Sequence, residues 1–298
     1  MIWTQWSDLA IPTGLQHLAT NGVHPTPDQL EKITFYVPLY MGGKVAIEQI
    51  PAMKNLQVVQ SPNAGFDDVL QVLPEGVTLC NASGVHDAST AELAVGLTIA
   101  ARRGFAAFAS NKEKGKWVHT RNTALADSRV GIVGYGNIGA LIAKQLSNFS
   151  VEVIPFTRSG AHGSKKMTEF DSLLPTLDVI ILIVPLTDET RHLMNAKRLS
   201  SMKGGATLIN VARGAVVDTD ALVKELHTGR ITAGLDVTDP EPLPVGHALW
   251  SAPNVIISPH VGGDTTAFEP RGRALVESQL KRFAEGNPLI NCVAGPAR

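Results

Sequence analysis

The sequence predicts an α/β protein, a doubly wound parallel sheet inserted into a smaller α/β domain. Six short, apolar, β-branched runs recur through the middle of the chain: RVGIVG from Arg129, VEVIPF from Val151, DVIILIV from Asp178, ATLINV from Ala206, ITAGLDV from Ile231 and NVIIS from Asn254. Most intervals between them can hold a helix, and continuous apolar strands alternating with helices indicate a parallel sheet covered on both faces. Further strand candidates lie N-terminal to this block and a helical stretch lies after it, so both ends of the chain contribute to a second domain.

The elements follow in order. The first thirty or so residues offer no clear strand, whereas ITFYVPLY, LQVVQSP and VTLCNAS each read as one, with helical stretches between. Ser89 sits three residues before Glu92, ahead of the Ala-rich run in STAELAVGLTIAARRG. That capping-box pattern predicts a helix opening at Ser89 and ending near Gly104. The stretch TAFEPRGRALVESQLKRFAEG reads as one amphipathic helix with Gly286 beyond its end. The expected division is residues 1–90 with 266–298 in the smaller domain and residues 91–265 in the sheet domain. A cleft between domains is a common place for a ligand.

Composition excludes several classes. The chain has 298 residues, 44% of them hydrophobic and 18% charged, with a formal net charge of −1. These values suit about two ordinary globular domains and leave no electrostatic footprint for nucleic acid or an anionic membrane. The basic run KEKGKW from Lys112 reads as a solvated surface. The apolar run VIILIVPL is far short of the ~20 residues that a membrane span needs, and MIWTQWSDLA lacks signal-peptide order. The expected location is cytoplasmic. Cys80 and Cys292 have no metal-ligand spacing and make no disulfide framework, so no metal site is expected and both read as inert thiols of a reducing compartment.

The run VGIVGYGNIGALIA places Gly134, Gly136 and Gly139 between a strand and a helix in a G-x-G-x-x-G pattern. The first glycine permits a tight turn, the second lets a pyrophosphate approach the backbone, and the third lets helix and strand pack closely. With five further strands in agreement, the pattern predicts a dinucleotide. In such a fold the second strand should end on an acidic residue that holds a ribose 2′-hydroxyl, at a spacing of about 20 residues. Here VEVIPFTRSG ends instead on Thr157, Arg158 and Ser159. A carboxylate would repel a 2′-phosphate, whereas a guanidinium and two hydroxyls would attract it. The expected cofactor is therefore NADP, with NAD as the lesser possibility.

Three later strand ends carry chemistry. INVARGAVVD places Arg213 in a glycine-adjacent turn, GLDVTDPEPLP offers Asp236, Asp239 and Glu241, and IISPHVGG offers His260. The carboxyl ends of the strands of a doubly wound sheet line one crevice, so these residues can converge. A guanidinium can grip a carboxylate through two parallel hydrogen bonds, and an imidazole beside a carboxylate can pass a proton near neutral pH. Together these groups suit reduction of a 2-keto acid.

From about Ser61 onward the chain closely resembles the D-isomer-specific 2-hydroxyacid dehydrogenase family. The likeness is densest in RHLMNAKRLSSMKGGATLINVARGAVVDTDALVKEL, DVTDPEPLP, LWSAPNVIISPHVGG and the glycine fingerprint. It implies an oxidoreductase passing a hydride between a nicotinamide cofactor and a small 2-keto or 2-hydroxy acid such as glyoxylate or hydroxypyruvate. By the same resemblance Arg213 clamps the substrate carboxylate and carbonyl, His260 is the acid–base and Glu241 its partner. Backbone N–H groups around Ala64 and Gly65 in SPNAGFDDV would hold the substrate carboxylate. On the cofactor side the matches are Asn137, Ile138, Pro185 and Thr190; Asp236 falls at the nicotinamide amide, and Gly262 and Gly263 close the site. Asn63 departs from the glycine or serine of many members. Formate dehydrogenases of the same fold carry Gln where Glu241 stands. The resemblance also implies a homodimer built on the cofactor domains. The competing class is a cofactor-sensing scaffold, as in the family's co-repressor branch, whose longer tails this chain lacks.

Overall fold

The computed structural model describes residues 1–19 and 25–296. Two compact units emerge, Met1–His86 with Thr265–Arg298, and Asp87–Asp264. No helix among the described residues is long and apolar enough to cross a membrane.

The first unit holds strands β1 (Ile2–Thr4), β2 (His17–Ala19), β3 (Phe35–Tyr36), β4 (Val58–Gln60), β5 (Thr78–Cys80) and the strand Cys292–Ala294, which is β13 in chain order. They form one sheet in the order β13-β5-β4-β3-β1-β2, parallel except for β13 against β5. Successive residues of a strand point to opposite faces. Accordingly Phe35, Val58 and Cys80 join the apolar cluster with Phe268, Val276 and Leu280 of the helix Phe268–Glu285. Tyr36, Val59 and Leu79 join the opposite one. The three strands expected in this region are β3, β4 and β5. The first thirty residues, where the sequence offers no clear strand, hold β1 and β2, and residues 20–24 of that stretch lie outside the described ones. Three-residue strands are too short to show a period. Trp3 is held by a partner distant in sequence, stacking on Tyr36 with ring centroids 4.6 Å apart.

The second unit is a seven-stranded sheet, every pairing parallel: β6 (Ser128–Val133), β7 (Val151–Thr157), β8 (Lys165–Lys166), β9 (Val179–Leu182), β10 (Thr207–Asn210), β11 (Thr232–Leu235) and β12 (Val255–Ile257). The order is β12-β11-β10-β9-β6-β7-β8. All six expected strands are present. The seventh, β8, is two exposed lysines and gives no apolar signal. Both faces are covered: Ile180 and Leu182 of β9 enter one cluster, Val179 and Ile181 the other. The strand order reverses between β6 and β9, and the crevice at such a reversal is where doubly wound sheets bind ligands.

The helix Asp87–Arg103 begins two residues before the expected capping serine, so Ser89 lies inside it and is buried. The capping match was local; burial of Ser89, Thr90 and Ala91 in this unit carries the helix past it. At its other end Arg102 is buried and donates to the carbonyls of Ala124 and Asp178 and to the Ser128 hydroxyl, tying the helix to the start of β6. Gly104, at φ +70°, ends it, and a second helix, Phe105–Glu113, follows.

Candidate active site

The glycine turn sits at the carboxyl end of β6, beside the reversal of strand order. Gly134 has φ +104°, and a Cβ there would lie 2.3 Å from the carbonyl oxygen of Ile183. A Cβ on Gly139 would lie 2.1 Å from the carbonyl of Gly134, so helix and strand touch backbone to backbone. Gly136 is different: a Cβ would meet nothing within 4 Å. This residue is the N-cap of the helix Asn137–Leu146. Asn137 is exposed and Ile138 half-buried beside it. An open glycine at the positive end of a ten-residue helix fits a pyrophosphate. The residues present fit a dinucleotide.

At the end of β7 the Thr157 hydroxyl accepts from the N–H groups of Gly160 (2.9 Å) and Ala161 (3.1 Å). It also meets the Ser164 hydroxyl at 2.7 Å, which in turn donates to the Ala161 carbonyl at 2.6 Å. A hydroxyl has one donor and two acceptor positions. All three are used within the turn, so Thr157 shapes the loop. Arg158 and Ser159 remain exposed on the turn that Thr157 holds. Arg158 makes one ion pair, to Glu189 at 3.5 Å. After β9, the Thr190 hydroxyl donates to the Pro185 carbonyl (2.7 Å) and accepts from the Thr187 N–H (2.8 Å), folding loop 185–190 on itself.

Arg213, Glu241 and His260 follow the ends of β10, β11 and β12 respectively. After β10, the buried Asn210 amide accepts from the Ala212 N–H (3.0 Å) and donates to the Arg213 carbonyl (2.9 Å). Nη1 of Arg213 donates to the Ala212 carbonyl at 2.8 Å. A Cβ on Gly214 would fall 1.9 Å from the Thr238 carbonyl, so only glycine lets the Arg213 turn press against the turn that follows β11. That second turn carries Glu241 between two prolines. Glu241 Oε1 lies 2.5 Å from His260 Nδ1. His260 and Glu241 keep 37% and 39% of their side chains exposed, which leaves the couple accessible to a substrate. Partial burial works to raise the Glu241 carboxyl. The hydrogen bond and charge of His260, the Thr238 N–H and the charge of Arg213 outweigh it, and hold the group below the ordinary carboxylate range.

His260 adopts φ +55°, a left-handed backbone that L-residues rarely take. Asp236 holds it there. Its backbone carbonyl accepts from the His260 N–H at 2.8 Å. Its buried carboxylate accepts from the Ser258 hydroxyl (2.6 Å), the Val261 N–H (2.9 Å) and the Gly262 N–H (2.9 Å). Three of the four acceptor positions of a carboxylate are thus taken by this loop. Gly263 continues from it. Sequence reasoning placed Asp236 at the site but missed both its hold on the His260 loop and the role of Asn210. An amide at a strand end before a glycine-adjacent turn was the one available signal for Asn210.

Ala64 and Gly65 belong to the other unit. Their loop is held by its carbonyls: Pro62 accepts from His86 Nε2 (2.7 Å), Asn63 from the Ala82 N–H (2.9 Å) and Ala64 from Asn81 Nδ2 (2.7 Å). The Asn63 N–H turns back to donate to the Ser61 hydroxyl at 3.1 Å. The ring of His86 also stacks on Tyr40 and Phe268, which is a packing role.

A doubly wound nucleotide-binding sheet with an Arg, Glu and His cluster at its strand ends defines a dehydrogenase-type oxidoreductase. Residues 95–262 match the family described as D-isomer specific 2-hydroxyacid dehydrogenase, NAD binding domain. A hydroxypyruvate reductase of Thermotoga maritima is 33% identical over 281 residues, covering 90% of this chain and 92% of that one. A glyoxylate reductase of Thermofilum pendens is 35% identical over 258 residues, covering 82% of this chain and 76% of its own. A crystal structure of a D-isomer specific 2-hydroxyacid dehydrogenase from Xanthobacter autotrophicus, in complex with NADPH and MES, is 27% identical with a TM-score of 0.77, covering 99% and 98% of the two chains. The chain belongs to the D-isomer specific 2-hydroxyacid dehydrogenase family. It is an oxidoreductase that transfers a hydride between a nicotinamide dinucleotide and a small 2-keto or 2-hydroxy acid.

Proposed function

We propose that this enzyme reduces a short 2-keto acid, glyoxylate or hydroxypyruvate, with a preference for NADPH. The observation that carries the reaction is the His260–Glu241 pair at 2.5 Å, with the charge of Arg213 acting on the same carboxylate. The two similar reductases, at 33% and 35% identity, support the choice of substrate.

In this reading Gly136, Asn137 and Ile138 receive the pyrophosphate at the helix N-terminus, while loop 185–190, Asp236, Gly262 and Gly263 line the nicotinamide half. The bound cofactor supplies the hydride. Arg213 orients the 2-keto acid through its carboxylate. Nδ1 of His260 is committed to Glu241, so Nε2 is the atom that hands a proton to the carbonyl oxygen. Glu241, held ionised, fixes the ring and offsets the charge of an imidazolium. Kinetic constants for glyoxylate, hydroxypyruvate, pyruvate and longer 2-keto acids with each cofactor test this. Absence of cofactor oxidation with every one of them overturns it.

The cofactor preference rests on the turn after β7, which carries no carboxylate. The Arg158–Glu189 pair is exposed on both sides, and such pairs contribute little, so the guanidinium can exchange it for a 2′-phosphate. Replacing Arg158 with a neutral residue and Thr157 with Asp is expected to move the kcat/KM ratio toward NADH by roughly 10-fold or more, the scale of one charge-assisted contact. A wild-type kcat/KM that already favours NADH sinks the assignment.

The working assembly is a homodimer built on the nucleotide-binding units. An apolar patch supports it: Phe105, Phe108, Val118 and Trp117 are all exposed, Trp117 to 99%. Apolar patches of this kind mark protein contacts. Sedimentation at micromolar concentration is expected to give a dimer, and Trp117→Ser with Phe108→Ser a monomer; a monomeric wild type contradicts it.

A further inference from the structure

Cys80 and Cys292 are 212 residues apart in sequence, yet their sulfurs lie 3.3 Å apart. The antiparallel pairing of β13 with β5 sets Cys292 directly opposite Cys80, a proximity that the sequence does not report. Their environments differ. Cys80 is fully buried and Cys292 is exposed. Burial, reinforced by the neighbouring Cys292, pushes the Cys80 thiol well above its ordinary range, so Cys80 stays protonated at neutral pH.

The pair also occupies a consequential place. The Cys80 carbonyl accepts from the Ser61 N–H at 2.8 Å, and so anchors the start of the loop that carries Ala64 and Gly65. Beside it the buried Gln279 amide donates to Gln60 (2.8 Å) and to the Ile290 carbonyl (2.9 Å), joining the C-terminal helix to β4 and to the entry of β13.

We propose that Cys80 and Cys292 form a reversible thiol–disulfide pair, closed by a hydroperoxide, that locks β13 onto β5, the strand whose Cys80 carbonyl anchors the 61–65 loop. The exposed Cys292 sulfur attacks the peroxide, breaking its O–O bond and becoming a sulfenic acid as the first water leaves. The Cys80 sulfur then attacks the sulfenic sulfur. The S–S bond forms, and the departing hydroxide takes up the Cys80 proton as a second water. Two thiols have lost two electrons and two protons, and hydrogen peroxide has been reduced to two waters. A dithiol reductant reverses the exchange.

Closure asks for a small displacement. Directly opposed residues of an antiparallel pair hold their Cβ atoms about 4.5–5.5 Å apart, and a disulfide wants about 3.5–4.5 Å. The adjustment falls on β13, an edge strand of three residues whose register is already irregular between Cys292 and Ala294. The bond would tie the two chain segments of one unit together across a long loop, which restricts the unfolded chain.

The test oxidises the reduced, full-length enzyme with hydrogen peroxide. Both thiols should become unreactive to a maleimide, and the intact mass should fall by two hydrogens. A proteolytic digest should yield one peptide pair joined through Cys80 and Cys292, released by dithiothreitol. The oxidised wild type should melt roughly 5–10 °C above the reduced form, with no such rise in Cys292→Ser. Sulfinic or sulfonic acid at Cys292 without a cross-link overturns the proposal. A disulfide joining two chains does so equally, as does survival of both thiols under peroxide that oxidises an exposed control cysteine.

Discussion

His260→Ala is expected to lower kcat by roughly 10²- to 10⁴-fold, the range for loss of a positioned general acid. The side chain bonds to Glu241 through Nδ1, and 37% of it is exposed, so its removal opens no large cavity. The backbone around it is held by Asp236 through the Ser258 hydroxyl and the Val261 and Gly262 N–H groups, none of which involves the imidazole. Thermal stability and cofactor affinity should therefore stay close to wild type while turnover falls. Glu241→Gln keeps an acceptor for Nδ1 but removes the carboxylate charge beside the ring, so it should lie between the wild type and the alanine variant. Wild-type turnover in His260→Ala would mean that another group delivers the proton.

Arg213→Lys should lower kcat/KM for the 2-keto acid by about 10²-fold, because a lysine keeps the charge and loses the planar fork that engages a carboxylate through two bonds. Arg213 is also pinned by its own Nη1 to the Ala212 carbonyl, in a turn set by Asn210 and pressed on the Thr238 carbonyl at Gly214. A lysine ammonium has no second edge with which to hold that turn and a substrate together. Cofactor affinity, measured by fluorescence titration of the nucleotide alone, should change little. A matching loss of cofactor affinity would make Arg213 a cofactor residue.

Legibility followed the range of the interactions involved. β9 and β10 are buried on both faces, so their apolar runs stood out without any knowledge of partners. Gly134 and Gly139 are demanded by contacts with backbone close by in the fold, and the spacing of the fingerprint carries that demand in one short run. Arg213, Glu241 and His260 were legible as strand-end residues because a doubly wound sheet gathers its strand ends. The turn after β7 was legible in its charge but not in its bonding. That Thr157 would spend its hydroxyl on Gly160, Ala161 and Ser164 depends on how the loop folds back, which composition does not report.

By itself the sequence determined the alternation of strand and helix and the glycine turn, since each depends on a local period or a steric need at one residue. Only the tertiary structure decided that Ile2–Thr4 is a strand, that Asp236 holds the His260 loop in a left-handed turn, and that Cys80 faces Cys292. Each of these is set by a partner tens to hundreds of residues away, brought near by burial of the sheets. A hydrogen bond or a sulfur contact leaves no periodic trace in the chain that makes it.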